Sequence, residues 1–596
     1  MFDFLKRRSS LVFIIVLIII ARFYNLSCDP PFDFPLGFIG DEGWWTHNAR
    51  NHAIFSETVM NEFNQAYIIS FPFYISQIII FAISGVGFYQ ARLVSAISGL
   101  LTLIIFFFFI KREKGIETAG LTSLFFGLNY IFLAYCRVAL VDTMQLLFLL
   151  VSLYLIRNQN DRYIKYSISG IFFGLALITK TTVIFALGTF GLFFLLQLLD
   201  DIKAFKKIVS RFAVFLSSLG IFLIFWYLFI VKPMGDEIEI LYSRLAYDNF
   251  HGTLITAFKN IFTLFASIST DGISISQFIT QMPIVQILCW LYLFNLLLDF
   301  YGNKDKNPLR RIKKVDLLFL SVIIFGFITL SPMTHKPLRR YIVFIPFICY
   351  FAATFLQNIK VIRLKEYFDI MKTKKFLSPV RMLMTLILCL PLLVLIIPSL
   401  SILAKKVCSM IPFKGLNVVH GDIHISNFQV LTFISIYILS HISFYILSRS
   451  KINFKTKLEI PREPAIVVFL VVTLILYGLH FYKPTFTLRD TSRMLGGIFS
   501  EKTLVIGGVA DSLCLENRAR TAHVWESPSG RVLNGSIVKR NEADYLLSIR
   551  KAGDILIPES ELSSQLKLFP LKVLKLCPTR DRKNYRIEVE FSKIIK

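Results

Sequence analysis

The sequence predicts a polytopic α-helical membrane protein of about 13 transmembrane helices, with interfacial helices in its first outer loop and a small C-terminal α/β domain outside the bilayer. Three observations predict it. The 596-residue chain is 55% hydrophobic and holds 60 Phe, and its mean hydropathy is +0.63. Apolar runs recur along nearly the whole length, several long enough to cross a hydrocarbon core of roughly 30 Å, which takes about 20 helical residues. Lys and Arg gather in alternate loops, as the positive-inside rule expects. No single globular core needs so many unbroken apolar runs.

In chain order, spans are expected near Leu11–Tyr24, Arg92–Ile110, Thr118–Tyr135, Thr143–Ile156, Ile168–Ile178, Thr182–Leu199 and Phe212–Val231. They continue near Ile284–Phe300, Val315–Leu330, Tyr341–Leu356, Met382–Leu403, Phe428–Leu447 and Ala465–Phe481. With Lys6, Arg7 and Arg8 cytoplasmic, alternation puts Lys111, Arg112, Lys114 and the clusters Lys304–Lys314, Lys360–Arg381 and Arg449–Arg462 on the same side. The first outer loop, 27–91, carries only Arg50. The formal charge of +26 therefore reports topology, and a nucleic-acid partner is not expected. The first span has basic flanks and no small-residue cleavage site after it, which reads as a retained anchor. The Phe-, Ile- and Lys-rich composition points to a bacterial inner membrane, with the N-terminus cytoplasmic and the C-terminal domain periplasmic.

The chain divides into a membrane domain, 1–482, and an outer α/β domain, 483–596. Within loop 27–91 the apolar stretch Ile68–Ile83 reads as interfacial, because a span there would put the later basic clusters outside. A second outer loop is expected over Lys232–Pro283. In the tail, Thr503–Ile506 ends in Gly507-Gly508 and leads into a helical Val509–Asn517. Short strand-like runs follow at Ala522–Trp525, Asp544–Ile549, Asp554–Ile557 and Tyr585–Phe591. The eight Cys show no CxxC pairing; Cys28, Cys408, Cys514 and Cys577 fall on the outer side, where a disulfide is open to them.

The first candidate for chemistry is Gly40-Asp41-Glu42-Gly43-Trp44-Trp45. A solvated turn with flexible glycines would give the same residues. Acids just outside a span, beside tryptophans that favour headgroup depth, also suit a general base at the membrane surface. A helix around Trp44–Phe55 would then carry Asn48 and Arg50 as acceptor or sugar contacts. The second candidate is Arg137 with Asp142, at the outer end of the third span; Asp142 also suits an N-cap for the helix that follows. Lys180 is outer-facing by the same alternation, either snorkelling or binding phosphate. The third candidate is Lys336, Arg339 and Arg340, an outer basic cluster that breaks the charge rule and suits phosphate or a lipid headgroup. A kinase-like run, His420-Gly421-Asp422 to Asn427, lacks a nucleotide lobe and a second metal-binding Asp, and reads as coincidence.

Taken together, these stretches resemble the protein O-mannosyltransferase and aminoarabinose-transferase group of the GT-C membrane glycosyltransferases (glycosyltransferase family 39-like). The resemblance rests on the acidic pair after the first span, "ARLVSAISGLLTLI", "CRVALVDTM", "LALITKTT" and "SPMTHKPLRRYIVFIPF", in that order between Leu11 and Phe355. Two departures are the Ser70-Phe71-Pro72-Phe73 stretch and Thr181 where the family usually has Gly. The resemblance implies an inverting enzyme that moves a sugar from a polyprenyl-phosphate donor to a lipid, glycan or protein acceptor, outside the membrane. It implies Asp41 as base, with Glu42 and Asp142 positioning hydroxyls or holding a divalent cation. Lys180, Lys336, Arg339 and Arg340, with Arg92 and Arg137, would bind the lipid phosphate. No other cofactor is implied. A lipid-linked oligosaccharide ligase of the oligosaccharyltransferase kind, and more distantly a transporter, are the alternatives.

Overall fold

Where apolar residues run unbroken, the chain is helical, and the helices keep large apolar side chains on their outer faces. The computed structural model describes residues 8–30, 37–58, 66–157, 162–200, 202–234, 282–302, 313–330, 338–359, 361–362, 458–459, 462–481, 484–522, 543–552, 555–556, 567–578 and 585–595. The helices that build the site are α1 (Arg8–Phe23), α2 (Gly37–Phe55), α3 (Phe71–Ser84), α4 (Phe88–Lys114), α5 (Ile116–Gly127), α6 (Tyr130–Cys136), α7 (Asp142–Ile156) and α8 (Tyr163–Thr179). Among the described residues, four helices are long and apolar enough to cross a membrane, or five if the bent pair α5–α6 is one span. Exposed Ile97, Leu101, Ile104 and Phe108 on α4, and Ile221, Ile224, Phe225 and Phe229 further on, form apolar faces that lipid would cover. The spans expected near Met382–Leu403 and Phe428–Leu447, the kinase-like run, Cys408 and most of Lys232–Pro283 lie outside the described residues.

Two sequence expectations change. The span expected at Thr118–Tyr135 is two helices meeting at 64°. Asn129 causes the break: its backbone is extended and its side chain accepts from the Phe132 amide at 2.9 Å, starting α6 afresh. The acid pair lies inside α2 rather than in a turn before it, because that helix starts at Gly37. Trp44 and Trp45 are buried, with ring centroids 4.4 Å apart.

The C-terminal α/β region follows α9 (Arg462–Phe481) and opens with α10 (Thr487–Gly496). Its strands are β1 (Leu504–Ile506), β2 (Arg520–Ala522), β3 (Tyr545–Ala552), β4 (Ile555–Leu556), β5 (Leu568–Pro578) and β6 (Tyr585–Ile594), with the short α11 (Ala510–Leu513) between β1 and β2. The sheet order is β2-β1-β3-β6-β5, with β4 hairpinned on β3. β1 runs parallel to β2 and β3, as in Val505 opposite Thr521 and Tyr545, and the other pairings are antiparallel. At the end of β1, Gly507 adopts φ +136°, where a side chain would strike the Leu547 backbone. The strand β5 and the helix α10 were not expected from sequence. β5 hides because Pro570 and Pro578 punctuate its run, yet buried Leu574 and Leu576 flank exposed Lys575 at strand period. Cys28, Cys514 and Cys577 are buried, and none is disulfide-bonded to another described cysteine.

The buried apolar cluster is continuous from Ile18 in α1 to Phe591 in β6, so the C-terminal sheet and the apolar helices share one core. Side chains lock that junction. Asp29, after α1, accepts from the Thr487 amide (2.9 Å), the Thr487 hydroxyl (2.8 Å) and the Leu488 amide (3.0 Å) at the start of α10. Glu516 accepts from the Phe88 amide at 3.0 Å, where α4 begins.

Candidate active site

The residues singled out in the sequence separate into two groups. One group has its hydrogen-bonding capacity taken up inside the fold. Glu42 is fully buried and holds Arg92 in a two-pronged pair, Oε1–Nε 2.6 Å and Oε2–Nη2 2.8 Å. Glu42 Oε1 also accepts the Ala139 amide at 2.9 Å, and Arg92 Nη1 donates to the Leu26 and Cys28 carbonyls. Arg137 donates to the carbonyls of Ala21, Arg22, Tyr24 and Asn25, closing the C-terminal end of α1. Arg50 donates to the carbonyls of Leu515, Asn517 and Ala519 in the outer domain. Asn48 joins the two sides of the loop after α2, donating to the Thr58 carbonyl (2.8 Å) and accepting from the Tyr67 amide (3.1 Å). The expected phosphate contacts of Arg92 and Arg137, and the expected acceptor contacts of Asn48 and Arg50, thus meet protein groups here.

The second group converges. Asp41, at the fifth position of α2, is paired with Arg339 of the 3-10 helix Leu338–Phe344. Asp142 is paired with Lys180 at 2.5 Å. The two pairs are adjacent: Arg339 lies in the field of Asp41, Asp142 and Tyr135, and Lys180 in that of Asp142, Arg339 and Arg340. Five charged side chains from four separate parts of the chain therefore meet at one place. Lys336 lies outside the described residues.

Local structure explains each placement. Asp142 does not cap α7 as expected; Val141 holds the cap position in a helical conformation without a side-chain bond, and Asp142 turns its carboxylate to Lys180. Lys180 ends α8 in an extended conformation, which aims its side chain away from the helix, and Gln145 donates to its carbonyl. Burial outweighs the pull of Asp142 and lowers the Lys180 ammonium to about 8, with Arg339 and Arg340 pushing the same way. Among the described residues the cluster brings three cations, Lys180, Arg339 and Arg340, together with two carboxylates, Asp41 and Asp142. Asp41 and Asp142 are the carboxylates a divalent cation could use; among the described residues no three His, Cys, Asp or Glu side chains converge.

Two neighbours escaped the sequence. Tyr135, buried in α6, lies among Asp41, Asp142 and Arg339, and no local pattern marks it. His47, with Nδ1 2.7 Å from the Trp44 carbonyl oxygen and 3.8 Å from Asp511 Oδ2, joins α2 to the outer domain across more than 460 positions of sequence, counting 47 to 511.

Residues 71–228 match the family described as dolichyl-phosphate-mannose-protein mannosyltransferase. No curated protein sequence matches the chain. Among solved structures, ArnT from Cupriavidus metallidurans in the apo state superposes with a TM-score of 0.54 at 13% identity, over 98% of each chain. The same protein bound to undecaprenyl phosphate gives 0.52 at 12% identity, again over 98% of each chain. The archaeal oligosaccharyltransferase AglB from Archaeoglobus fulgidus, in complex with an inhibitory peptide and a dolichol-phosphate, gives 0.44 at 13% identity over 91% of this chain and 69% of that one. The chain therefore shares the polytopic helical fold of ArnT along almost its entire length, and residues 71–228 carry the mannosyltransferase family pattern.

Proposed function

We propose that this chain is an inverting glycosyltransferase that moves a sugar from a polyprenyl-phosphate donor to an acceptor hydroxyl at the outer side of the membrane. The observation that carries the reading is the convergence of Asp41, Asp142, Lys180, Arg339 and Arg340 into one cluster. Undecaprenyl phosphate bound to a protein of the same fold supports a lipid-phosphate donor.

In this reading the acceptor oxygen attacks the anomeric carbon, the bond from that carbon to the phosphate oxygen breaks, and polyprenyl phosphate leaves. One displacement inverts the carbon. Asp41 takes the acceptor proton as the new bond forms. Lys180, Arg339 and Arg340 stabilise the charge growing on the phosphate; Lys336 is assigned there on sequence grounds alone. Arg339 is paired with Asp41, so a donor phosphate would compete for its guanidinium and release the carboxylate for its role as base. Asp142 keeps Lys180 aimed at the same point. Glu42, Arg92 and Arg137 shape the site from behind.

The test is transfer of label from a radiolabelled polyprenyl-phosphate sugar by the full chain in proteoliposomes, native against Asp41→Asn. The expected result is transfer by the native chain and a loss of about 10²–10⁴-fold in the variant, the usual contribution of a general base. Activity that survives Asp41→Asn refutes the assignment of the base. Transfer of a preassembled lipid-linked oligosaccharide, with none from single-sugar donors, would instead identify an oligosaccharide ligase.

A further inference from the structure

We propose that Arg50 is a positioning residue for Asp41, and that the outer domain is one jaw of a clamp that fixes the helix carrying the base. This rests on the transferase reading above. Gly40, Gly43, His47 and Arg50 are spaced by three, four and three residues, which puts them on one stripe of α2. Every member of that stripe meets the outer domain. A Cβ at Gly40 would stand 3.0 Å from the Gly508 carbonyl oxygen, and one at Gly43 only 2.8 Å from the Asp511 carbonyl carbon. His47 faces Asp511, and Arg50 Nη2 reaches the Asn517 and Ala519 carbonyls at 2.7 Å each. Arg50 Nε adds the Leu515 carbonyl at 3.3 Å.

The other side of α2 is held by the membrane domain. Glu42 binds Arg92 and the Ala139 amide, and the Thr46 hydroxyl accepts from Gln77 at 3.2 Å. Asp41 points from the third face of α2, about 100° round from both Gly40 and Glu42, so holding the other two faces fixes its direction. Arg50 lies nine residues further along the helix, about 13 Å at 1.5 Å per residue, so it acts through the helix and not on the reacting atoms. The three carbonyls lie in the irregular turn after α11, where backbone acceptors lack a ladder partner and need donors from elsewhere. A guanidinium fork serves three at once; a lysine ammonium has one nitrogen and cannot span them. The same turn supplies Glu516 to the start of α4, the helix that bears Arg92. One segment of the outer domain therefore touches both helices behind the base.

The experiment compares native protein, Arg50→Lys and Gly43→Ala, each as the full chain in proteoliposomes, alone and combined with Asp41→Asn. Displacing a catalytic group by about 1 Å costs on the order of 10²-fold. Both variants are expected to lower kcat roughly 10–100-fold, with the donor KM and the Kd for polyprenyl phosphate within about twofold of native. Because Arg50 acts through Asp41, adding Arg50→Lys to Asp41→Asn is expected to cost little more than Asp41→Asn alone. Hydrogen exchange of the amides of residues 41–46 is expected to quicken in both variants, and this readout needs no activity. Unchanged exchange overturns the clamp, as does a kcat loss that multiplies fully with that of Asp41→Asn. If the native chain transfers no sugar, the transferase reading fails, and the exchange measurement still decides whether Arg50 holds α2.

Discussion

Replacing Arg92 with Met distinguishes a structural ion pair from a phosphate ligand. Arg92 is 1% exposed and Glu42 is fully buried, and they share two bonds of 2.6 and 2.8 Å. Met keeps much of the side-chain volume but leaves the Glu42 carboxylate without its counter-charge, and leaves the Leu26 and Cys28 carbonyls without their donor. Breaking a buried pair from one side costs about 3–5 kcal/mol. At 1.36 kcal/mol per tenfold, that is roughly 10²–10⁴ in the ratio of folded to unfolded protein. The assay is denaturation of the purified full chain in detergent, followed through loss of tertiary signal, with polyprenyl-phosphate binding measured on the fraction that remains folded. The expected result is a large loss of stability with binding retained. The double variant Glu42→Leu with Arg92→Met removes both charges, and should recover part of the loss, since an apolar replacement of a whole buried pair is often neutral. Native stability in Arg92→Met, with binding abolished, would refute the reasoning and return Arg92 to the phosphate pocket.

Two further predictions follow from the same geometry. Lys180 is lowered to about 8 by burial, so its charge is present below that pH and lost above it. Donor binding and kcat/KM should therefore fall as pH rises through about 8, and Lys180→Arg should move that alkaline limb upward, since a guanidinium stays charged; a pH–rate profile checks both. Folding has the opposite sign between about 8 and the ordinary lysine value, because the unfolded chain binds more protons there and stability rises with pH. Asp29→Ala removes three bonds to the first turn of α10. It should cost about 1.5–3 kcal/mol, the usual worth of hydrogen bonds to a charged group, and loosen the outer domain first; limited proteolysis of the full chain reads that order.

The sequence by itself determined the class of protein and most of the candidate site. Apolar run length and Lys/Arg sidedness report on the solvent that each segment meets, and that information is local, so it can be read residue by residue. Asp41, Asp142, Lys180, Arg339 and Arg340 were legible for the same reason: charges at the ends of apolar runs are costly and stand out. Their division into roles was not legible. Asp41 and Glu42 are neighbours in sequence with equal chemistry, yet a helix turns them about 100° apart, one toward Arg339 and the other toward Arg92. Arg50 and Arg137 look like ligands to any pattern, but backbone carbonyls of distant segments claim them, and no local signal announces a carbonyl 465 residues away. The burial of Trp44 and Trp45 likewise depends on segments distant in the chain. Tertiary structure alone decided which charges pair with one another and which are taken up by backbone carbonyls, because pairing in a buried site is fixed by three-dimensional proximity, and chain order carries no record of it.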